Sequence, residues 1–206
     1  FDFQDKLHNQ SHPDLLPFLE RMRAITEARG AYMVAETPGE REDAEMHALT
    51  APGRLDTAYG FRFLYADRLT PGLVRDAMAA WPGTPGEGWP SWAFSNHDAP
   101  RAVSRWAEGR PLAAMARLNL LLLTCLRGGI FIWQGEELGL PQAHVPYERL
   151  ADPEAIANWP HTLGRDGART PMPWRADAPF AGFSTVEPWL PVDPAHVSLA
   201  VDAQEA

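Results

Sequence analysis

Three short segments of the sequence combine residue types that can do chemistry on a polar substrate. Glu36 follows a short apolar run, residues 95–101 read Ser-Asn-His-Asp-Ala-Pro-Arg, and residues 164–174 read Gly-Arg-Asp-Gly-Ala-Arg-Thr-Pro-Met-Pro-Trp. Taken singly, a Glu after a strand often caps the next element, an Asn-His-Asp run is often a hydrogen-bonded turn, and an Arg-Asp-Gly segment is usually a solvated loop. Together they offer a carboxyl, a His-Asp pair and a loop arginine, with many aromatic residues available to pack against sugar rings.

These groups are the ones that glycoside hydrolysis needs. Cleavage of a glycosidic bond requires a protonated carboxyl to assist the leaving oxygen and ionised carboxylates to stabilise the oxocarbenium-like transition state. Hydrogen bonds to the ring hydroxyls tighten in that transition state. The three segments can act together only if the elements before them bring them to one face of the fold.

The first part of the chain reads as a helix followed by a buried strand. Apolar residues recur at helical spacing over residues 14–29. Asp14 is the preferred cap, because Pro17 then falls in the first turn, where the backbone amide has no helical partner. The apolar run over residues 31–35 predicts a buried strand that delivers Glu36 to its tip.

The same order of elements recurs along the chain. Further helices are predicted over residues 42–50, 73–81 and 112–126. Further strands are predicted over residues 58–64, 92–94 and 130–133. The third of these helices is apolar nearly all round, as in a helix packed on both sides, and the last strand is expected to be buried. Residues 141–206 are expected to form mainly a long loop with one short helix.

Strands that alternate with helices predict a parallel sheet. Polar residues collect after three of the predicted strands, and the carboxyl ends of parallel strands are where α/β enzymes place their sites. Periodicity alone fits a closed barrel and an open sheet equally well.

Four phrases of the sequence stand in a specific order. They read Val-Ala-Glu at residues 34–36, Phe-Ser-Asn-His-Asp at 94–98, Trp-Gln-Gly-Glu-Glu-Leu-Gly at 133–139, and Gly-Arg-Asp-Gly through Pro-Trp at 164–174. In this order they resemble the α-amylase superfamily (glycoside hydrolase family 13), in its bacterial α-glucosidase and oligo-1,6-glucosidase branch. The resemblance implies an α/β fold, a partial (β/α)8 TIM barrel in which residues 1–206 supply roughly strands five to eight and a long terminal loop region.

The resemblance also implies roles for individual residues. Glu36 corresponds to the general acid/base at the end of strand five. Asp98 resembles the carboxylate that stabilises the transition state, and His97 the residue that hydrogen-bonds the sugar in the first glycone subsite. Arg165 matches the loop arginine that helps to close the pocket. Weaker candidates for the pocket wall are Arg101 and Phe61.

The sequence also departs from the family pattern. The family's nucleophile is an Asp in a Gly-Phe-Arg-x-Asp phrase before the acid/base Glu, and no such phrase precedes Glu36. Residues 60–64 read Gly-Phe-Arg-Phe-Leu, but Leu64 takes the place of the Asp and the segment follows Glu36. Strands one to four, the inserted domain and the C-terminal β-domain are also absent, and Gln142 stands where relatives often have Glu. The resemblance therefore implies the C-terminal half of a catalytic barrel, inactive alone.

Three functions stay open. The first is hydrolysis of α-glucosidic bonds at the non-reducing end of oligosaccharides, with retention of configuration, in the intact parent protein. The second is a non-catalytic relative that keeps the barrel as a scaffold. The third is transglycosylation, or isomerisation of sucrose or trehalose, by the same machinery. The preference between α-1,4 and α-1,6 bonds lies in segments outside these residues.

Composition excludes several other classes. The net charge of −9 and the lack of a Lys/Arg run argue against nucleic acid as a partner. No apolar stretch is long enough for a membrane span. One cysteine, Cys125, lies in an apolar run and is expected to behave as a small hydrophobe, which suits the cytoplasm. No cofactor and no metal is expected, because His8 and His12 share a zinc-like spacing only by chance. The sequence carries no signal for an oligomeric state.

Overall fold

A computed structural model gives the structure of residues 10–39, 41–84, 86–162 and 164–205. Its helices and strands, in chain order, are α1 Leu15–Glu27, β1 Val34–Thr37, α2 Glu42–Leu49, β2 Thr57–Gly60, α3 Pro71–Ala80, β3 Pro90–Ala93, α4 Ala102–Trp106, α5 Leu112–Cys125, β4 Gly129–Phe131, α6 Pro153–Asn158, α7 Pro194–Val197 and α8 Val201–Gln204. Three 3-10 turns lie at Tyr147–Arg149, Asp166–Ala168 and Pro179–Gly182.

The chain divides into two compact units. The first consists of the described residues within Phe1–Phe63, Thr70–Trp92 and Leu126–Ile130. The second consists of those within Leu64–Leu69, Ala93–Cys125 and Phe131–Ala206.

The strands form one sheet in the order β1-β2-β3-β4, so each strand lies beside its neighbour in sequence. β1 pairs with β2 and β2 with β3 in parallel, with Glu36 opposite Tyr59 and Tyr59 opposite Ser91. Side-chain hydroxyls add to the ladder: Thr37 donates to the carbonyl of Tyr59 at 2.9 Å, and Thr57 lies 2.7 Å from the hydroxyl of Ser91. The predicted parallel α/β sheet is confirmed.

Two strands differ from the prediction because acidic side chains take their backbone amides. The amide of Met33 donates to Asp56 at 2.8 Å, and β1 starts only at the next residue, so Glu36 lies within the strand rather than beyond its tip. The amide of Phe61 donates to Glu42 at 2.5 Å, and β2 ends at Gly60 rather than at residue 64.

The start of α1 agrees with the sequence. Asp14 occupies the N-cap position, although its side chain makes no capping bond, and Pro17 falls in the first turn as expected. An ion pair between Arg23 of α1 and Asp56, which precedes β2, holds part of the first unit together. Because Asp56 also binds the amide of Met33, this pair links the helix to the start of β1.

The core of the first unit is aromatic. Phe63 packs edge-on against Trp92 at 5.6 Å between ring centroids, and His47 stacks on Trp81 at 3.8 Å. The indole of Trp92 donates to the carbonyl of Arg127 at 2.8 Å. Gly128 follows with a φ of +141°, and a Cβ there would lie 2.7 Å from the carbonyl of Pro90. Only glycine allows the chain to enter β4 so close to β3.

Three predictions about apolar segments of the chain are corrected. α5 has only one covered face: Met115 and Leu123 are buried, whereas Leu121 is 63% exposed. β4 is shorter than predicted, and its Ile130 and Phe131 are 37% and 38% exposed rather than buried. Cys125 is exposed, so it is no core residue. An apolar sequence alone does not tell which of its faces another element covers.

Residues 141–206 contain more helical structure than predicted. Besides the three 3-10 turns they form α6, α7 and α8. Asp152 and Asp193 each cap a short helix by accepting a backbone amide, and a proline follows each cap. This Asp-Pro arrangement satisfies the first turn locally, so helices of only one or two turns can form.

Candidate active site

The turn after β3 is fixed by Asn96. Its side-chain oxygen accepts the amides of Asp98 at 2.9 Å and Ala99 at 2.8 Å, which closes a tight Asx turn. Arg105 of α4 brackets the same turn by donating to the carbonyls of Phe94 and Pro100. Burial lowers the pKa of Arg105 to about 10. His97 and Asp98 are thereby presented on a backbone held at both ends.

Two arginines hold the carboxylate of Asp98, which is 31% exposed. Arg169 donates to its Oδ1 at 2.9 Å and also, through Nε, to the carbonyl of His97 at 2.7 Å. Arg165 approaches the same Oδ1 at 3.4 Å. The other oxygen, Oδ2, lies 3.4 Å from Nε2 of His97, whose side chain is 50% exposed. The two arginines thus hold one oxygen of the carboxylate, and the other oxygen lies next to an accessible imidazole.

Arg165 itself is held by a buried carboxylate. Asp152 accepts the backbone amide of Arg165 at 2.8 Å, its Nε at 3.0 Å and one terminal nitrogen at 2.8 Å. These hydrogen bonds hold the pKa of Asp152 well below its usual range and raise the pKa of Arg165. A bidentate fork of this kind is among the stronger ion pairs in proteins.

A second set of contacts holds Ser95, the residue directly before Asn96. Glu136 accepts the hydroxyl of Ser95 at 2.6 Å and the amide of Trp133 at 2.8 Å, while Ser95 accepts the amide of Ala102 at 2.9 Å. Burial raises the pKa of Glu136, and these hydrogen bonds oppose the rise. The neighbouring Glu137 accepts the amide of Gly135. Both adjacent glutamates therefore accept hydrogen bonds from backbone amides.

Arg101 is buried inside the second unit. It is 1% exposed and donates to the carbonyls of Gln134 at 2.7 Å and Ala168 at 3.3 Å. Burial lowers its pKa to about 10. Its amide donates to Gln142, the residue that departs from the family pattern. This placement favours support of the loop over contact with a substrate.

Glu36 and Phe61 belong to the first unit. Glu36 is exposed on β1, where it alternates with the buried Ala35 and Thr37. It lines a cavity of about 520 Å³ together with Arg41 and Glu45. Phe61 is buried, with its ring 6.1 Å from that of Tyr59.

The segment that mimics a nucleophile motif has no carboxylate at the relevant position. Leu64 is fully buried, and Arg62 pairs with the acidic residues Glu42 and Asp43 of α2. The described residues contain no group of three or more His, Cys, Asp or Glu side chains placed to hold a metal ion, and His8 lies outside them. Over the same part of the chain, no helix is long and apolar enough to cross a membrane.

The structure thus brings together three residues that the sequence singles out: His97, Asp98 and Arg165. It adds two residues that the sequence analysis missed, Arg169 and Asp152. Arg169 lies four residues after Arg165 in the same quoted phrase. Asp152 stands directly before Pro153, and an Asp followed by Pro is a sequence signal for the start of a helix.

Comparisons with known proteins identify the family of the chain. The family model for the catalytic domain of alpha amylase matches residues 2–206. A probable alpha-glucosidase of Rhizobium meliloti (strain 1021) is 41% identical over 100% of this chain and 38% of its own length. An oligo-1,6-glucosidase of Parageobacillus thermoglucosidasius is 31% identical over 93% of this chain and 40% of its own length.

A solved structure gives the same result for the fold. The crystal structure of the alpha-glucosyl transfer enzyme XgtA is 44% identical, with a TM-score of 0.89, over 97% of this chain and 37% of that protein. The chain thus spans about two fifths of the length of these relatives. On the family match and on these relatives, the chain belongs to the alpha-amylase family.

Proposed function

We propose that the full-length protein hydrolyses α-glucosidic bonds at the non-reducing end of oligosaccharides, with retention of configuration. The observation that carries the proposal is the Asp98 carboxylate, held at one oxygen by two arginines with its other oxygen beside an accessible histidine. A carboxylate held in place in this way suits the stabilisation of an oxocarbenium-like transition state. The names of the two glucosidase relatives support this substrate class.

In this mechanism each residue has one task. Glu36 donates a proton to the leaving oxygen and later removes one from water. Asp98 stabilises the positive charge that develops on the sugar ring, and His97 donates a hydrogen bond to a ring hydroxyl. The nucleophile is a carboxylate from a part of the protein outside these 206 residues, about 5 Å from the acid/base in retaining enzymes. No cofactor or metal takes part. The 206 residues contain a single cysteine, which suits a reducing compartment, and we propose that the full-length protein acts in the cytoplasm.

The test uses the full-length protein and two single substitutions. Asp98→Asn should lower kcat by about 100-fold or more, because one group that stabilises the transition state is lost. Glu36→Gln should lower kcat/KM for maltose far more than kcat/KM for 4-nitrophenyl α-glucoside, because nitrophenolate leaves without protonation in the first step, whereas the later attack of water needs the base with either substrate. Retention is read from the first anomer that NMR detects.

Matched controls separate the site from general damage. Asp177→Asn removes an exposed aspartate that also pairs with an arginine, Arg175. Glu27→Gln removes an exposed glutamate of the first unit. Both should leave turnover unchanged. Wild-type turnover that survives Asp98→Asn would contradict the proposal, and a wild-type protein without turnover would favour the non-catalytic scaffold.

The 206 residues made as a separate protein provide a further test. We expect no turnover of an aryl α-glucoside, because the nucleophile is missing. Clear activity that Glu36→Gln abolishes would refute that argument.

Glucosyl transfer is the second candidate function. The 44% identity to an enzyme described as an alpha-glucosyl transfer enzyme favours it. The two reactions share the glycosyl-enzyme intermediate and differ in whether water or a sugar hydroxyl attacks it. Product analysis at increasing concentrations of an acceptor alcohol or sugar separates them. Free glucose as the main product would support hydrolysis, whereas a dominant glucoside of the acceptor would support transfer.

A further inference from the structure

Asp152 is the buried carboxylate nearest to the site that the proposed chemistry does not use. It directly precedes α6, and its side chain is completely shielded from solvent. A buried carboxylate is costly unless its oxygens are well satisfied. Asp152 satisfies them with the fork of Arg165 and with the amide of Glu154 at 3.2 Å.

These contacts determine how Arg165 points. Its Nε and one terminal nitrogen are directed at Asp152, and its backbone amide binds the same carboxylate. The other terminal nitrogen is the one that faces Asp98, at 3.4 Å. Because the guanidinium is planar, fixing two of its nitrogens fixes the third.

Backbone contacts also join the segment that carries Asp152 to the segment that carries Arg165. Asp166 accepts the amides of Ala151 at 2.7 Å and Asp152 at 2.9 Å, so each loop binds the other. Gly164 has a φ of +59°, and a Cβ there would lie 2.5 Å from the Cβ of Ala155 in α6. The segment that carries Arg165 therefore packs directly against α6.

The charges around Asp98 are also balanced by Asp152. Two carboxylates, Asp98 and Asp152, face two guanidinium groups, those of Arg165 and Arg169. Without Asp152, Arg165 would be free either to turn away or to bind Asp98 with two nitrogens. The second arrangement would compete with sugar hydroxyls for the carboxylate.

We propose that Asp152 is a positioning residue that holds Arg165 in the orientation that supports Asp98. The inference rests on the proposed role of Asp98 in catalysis. Asp152 itself touches no substrate, and its effect on turnover passes entirely through Arg165.

A double-mutant cycle in the full-length protein tests this statement. Asp152→Asn keeps a side-chain oxygen for the amide of Glu154 but loses the ionic fork. It should lower kcat/KM by about 10- to 100-fold, since a small misplacement of a group in the site costs that much. In the presence of Arg165→Ala, the same substitution should change kcat/KM by less than about 2-fold, because its target is already gone. Equal factors in both backgrounds would overturn the inference.

Asp193→Asn is the matched control. Asp193 also caps a short helix that begins with proline, accepts two backbone amides and forms no ion pair with an arginine among the described residues. We expect it to lower the melting temperature and to leave kcat/KM unchanged. If Asp193→Asn lowers kcat/KM as much as Asp152→Asn does, loss of a cap explains both effects and the inference fails.

A readout that does not depend on turnover separates this inference from the proposed function. In a crystal structure of the full-length Asp152→Asn protein, the terminal nitrogen of Arg165 should have left its place beside Asp98. An unchanged Arg165 would overturn the inference even in an active enzyme. A displaced Arg165 in a protein whose wild type shows no turnover would leave the positioning role standing and reject the catalytic role of the site.

Discussion

Substitution of Arg169 is the sharpest test of how Asp98 is supported. Arg169 makes the shortest ionic contact to this carboxylate, at 2.9 Å, and a second bond to the carbonyl of His97 at 2.7 Å. Both bonds end on the turn that carries the candidate site residues. Arg169→Ala would remove them together and leave Asp98 with the longer contact to Arg165.

The expected loss follows from these two bonds. A hydrogen bond that involves a charged group contributes about 1.5–3 kcal/mol, and the partial exposure of Arg169 and Asp98 places the ionic bond near 1.5 kcal/mol. A further ~1 kcal/mol comes from the bond to the carbonyl of His97. Since about 1.4 kcal/mol is a factor of ten in rate, Arg169→Ala should lower kcat/KM by about 10- to 100-fold.

Arg169→Lys distinguishes charge from geometry. Lysine keeps the positive charge but lacks the planar fork that reaches the carboxylate and the carbonyl at the same time. We expect it to recover only part of the loss, to about 10-fold below wild type. The assay is steady-state hydrolysis of 4-nitrophenyl α-glucoside by the full-length protein, with Arg175→Ala as the control for an exposed arginine of the same segment. A change below about 3-fold for Arg169→Ala would refute the reasoning, and full recovery by lysine would show that charge alone matters.

Two further predictions concern stability. His196 is fully buried, with Nε2 2.8 Å from the carbonyl of Pro141 and no partner for Nδ1 among the residues that the structure describes, and burial lowers its pKa below the ordinary 6.5. Because folding lowers this pKa, the stability that depends on neutral His196 is complete above pH 6.5 and is lost as the pH falls below 6.5. His196→Gln should therefore flatten the fall in melting temperature between pH 7 and pH 5. The control His161→Gln, at an exposed histidine, should not. Gly128→Ala should lower the free energy of unfolding in urea by about 1–3 kcal/mol more than Gly53→Ala does. Both glycines have positive φ, but only at Gly128 would a Cβ meet backbone. Equal effects of the two substitutions would refute the clash.

The sequence predicted the elements that carry the site because their signals are local. Apolar runs bounded by Gly and Pro located all four strands, and the Asn96-His97-Asp98 phrase was placed directly after the third. The errors in strand ends have a common cause. Asp56 and Glu42 bind backbone amides that lie 23 and 19 residues away, and no local pattern encodes such bonds.

The same limit explains which site residues were missed. Arg169 reaches Asp98 across 71 residues of chain, so its role depends on a fold that spacing alone does not reveal. The resemblance made Arg101 a candidate for the pocket wall, whereas in the structure it is buried and donates to two backbone carbonyls that lie 33 and 67 residues away in sequence. Asp152 is different, because an Asp followed by Pro signals a helix start even in a loop-rich region.

Asp98 and Asp152 bind the same arginine, Arg165, but differ in their exposure to solvent. Asp98 binds its arginines while part of it stays exposed, so it can exchange a protein partner for a sugar hydroxyl at small cost. Asp152 binds Arg165 in complete burial, where breaking the pair would leave an uncompensated charge. Arg165 therefore has one contact that is fixed and one that can be exchanged. In the proposed mechanism, that asymmetry would allow Arg165 to stay in place while Asp98 changes partners as substrate binds.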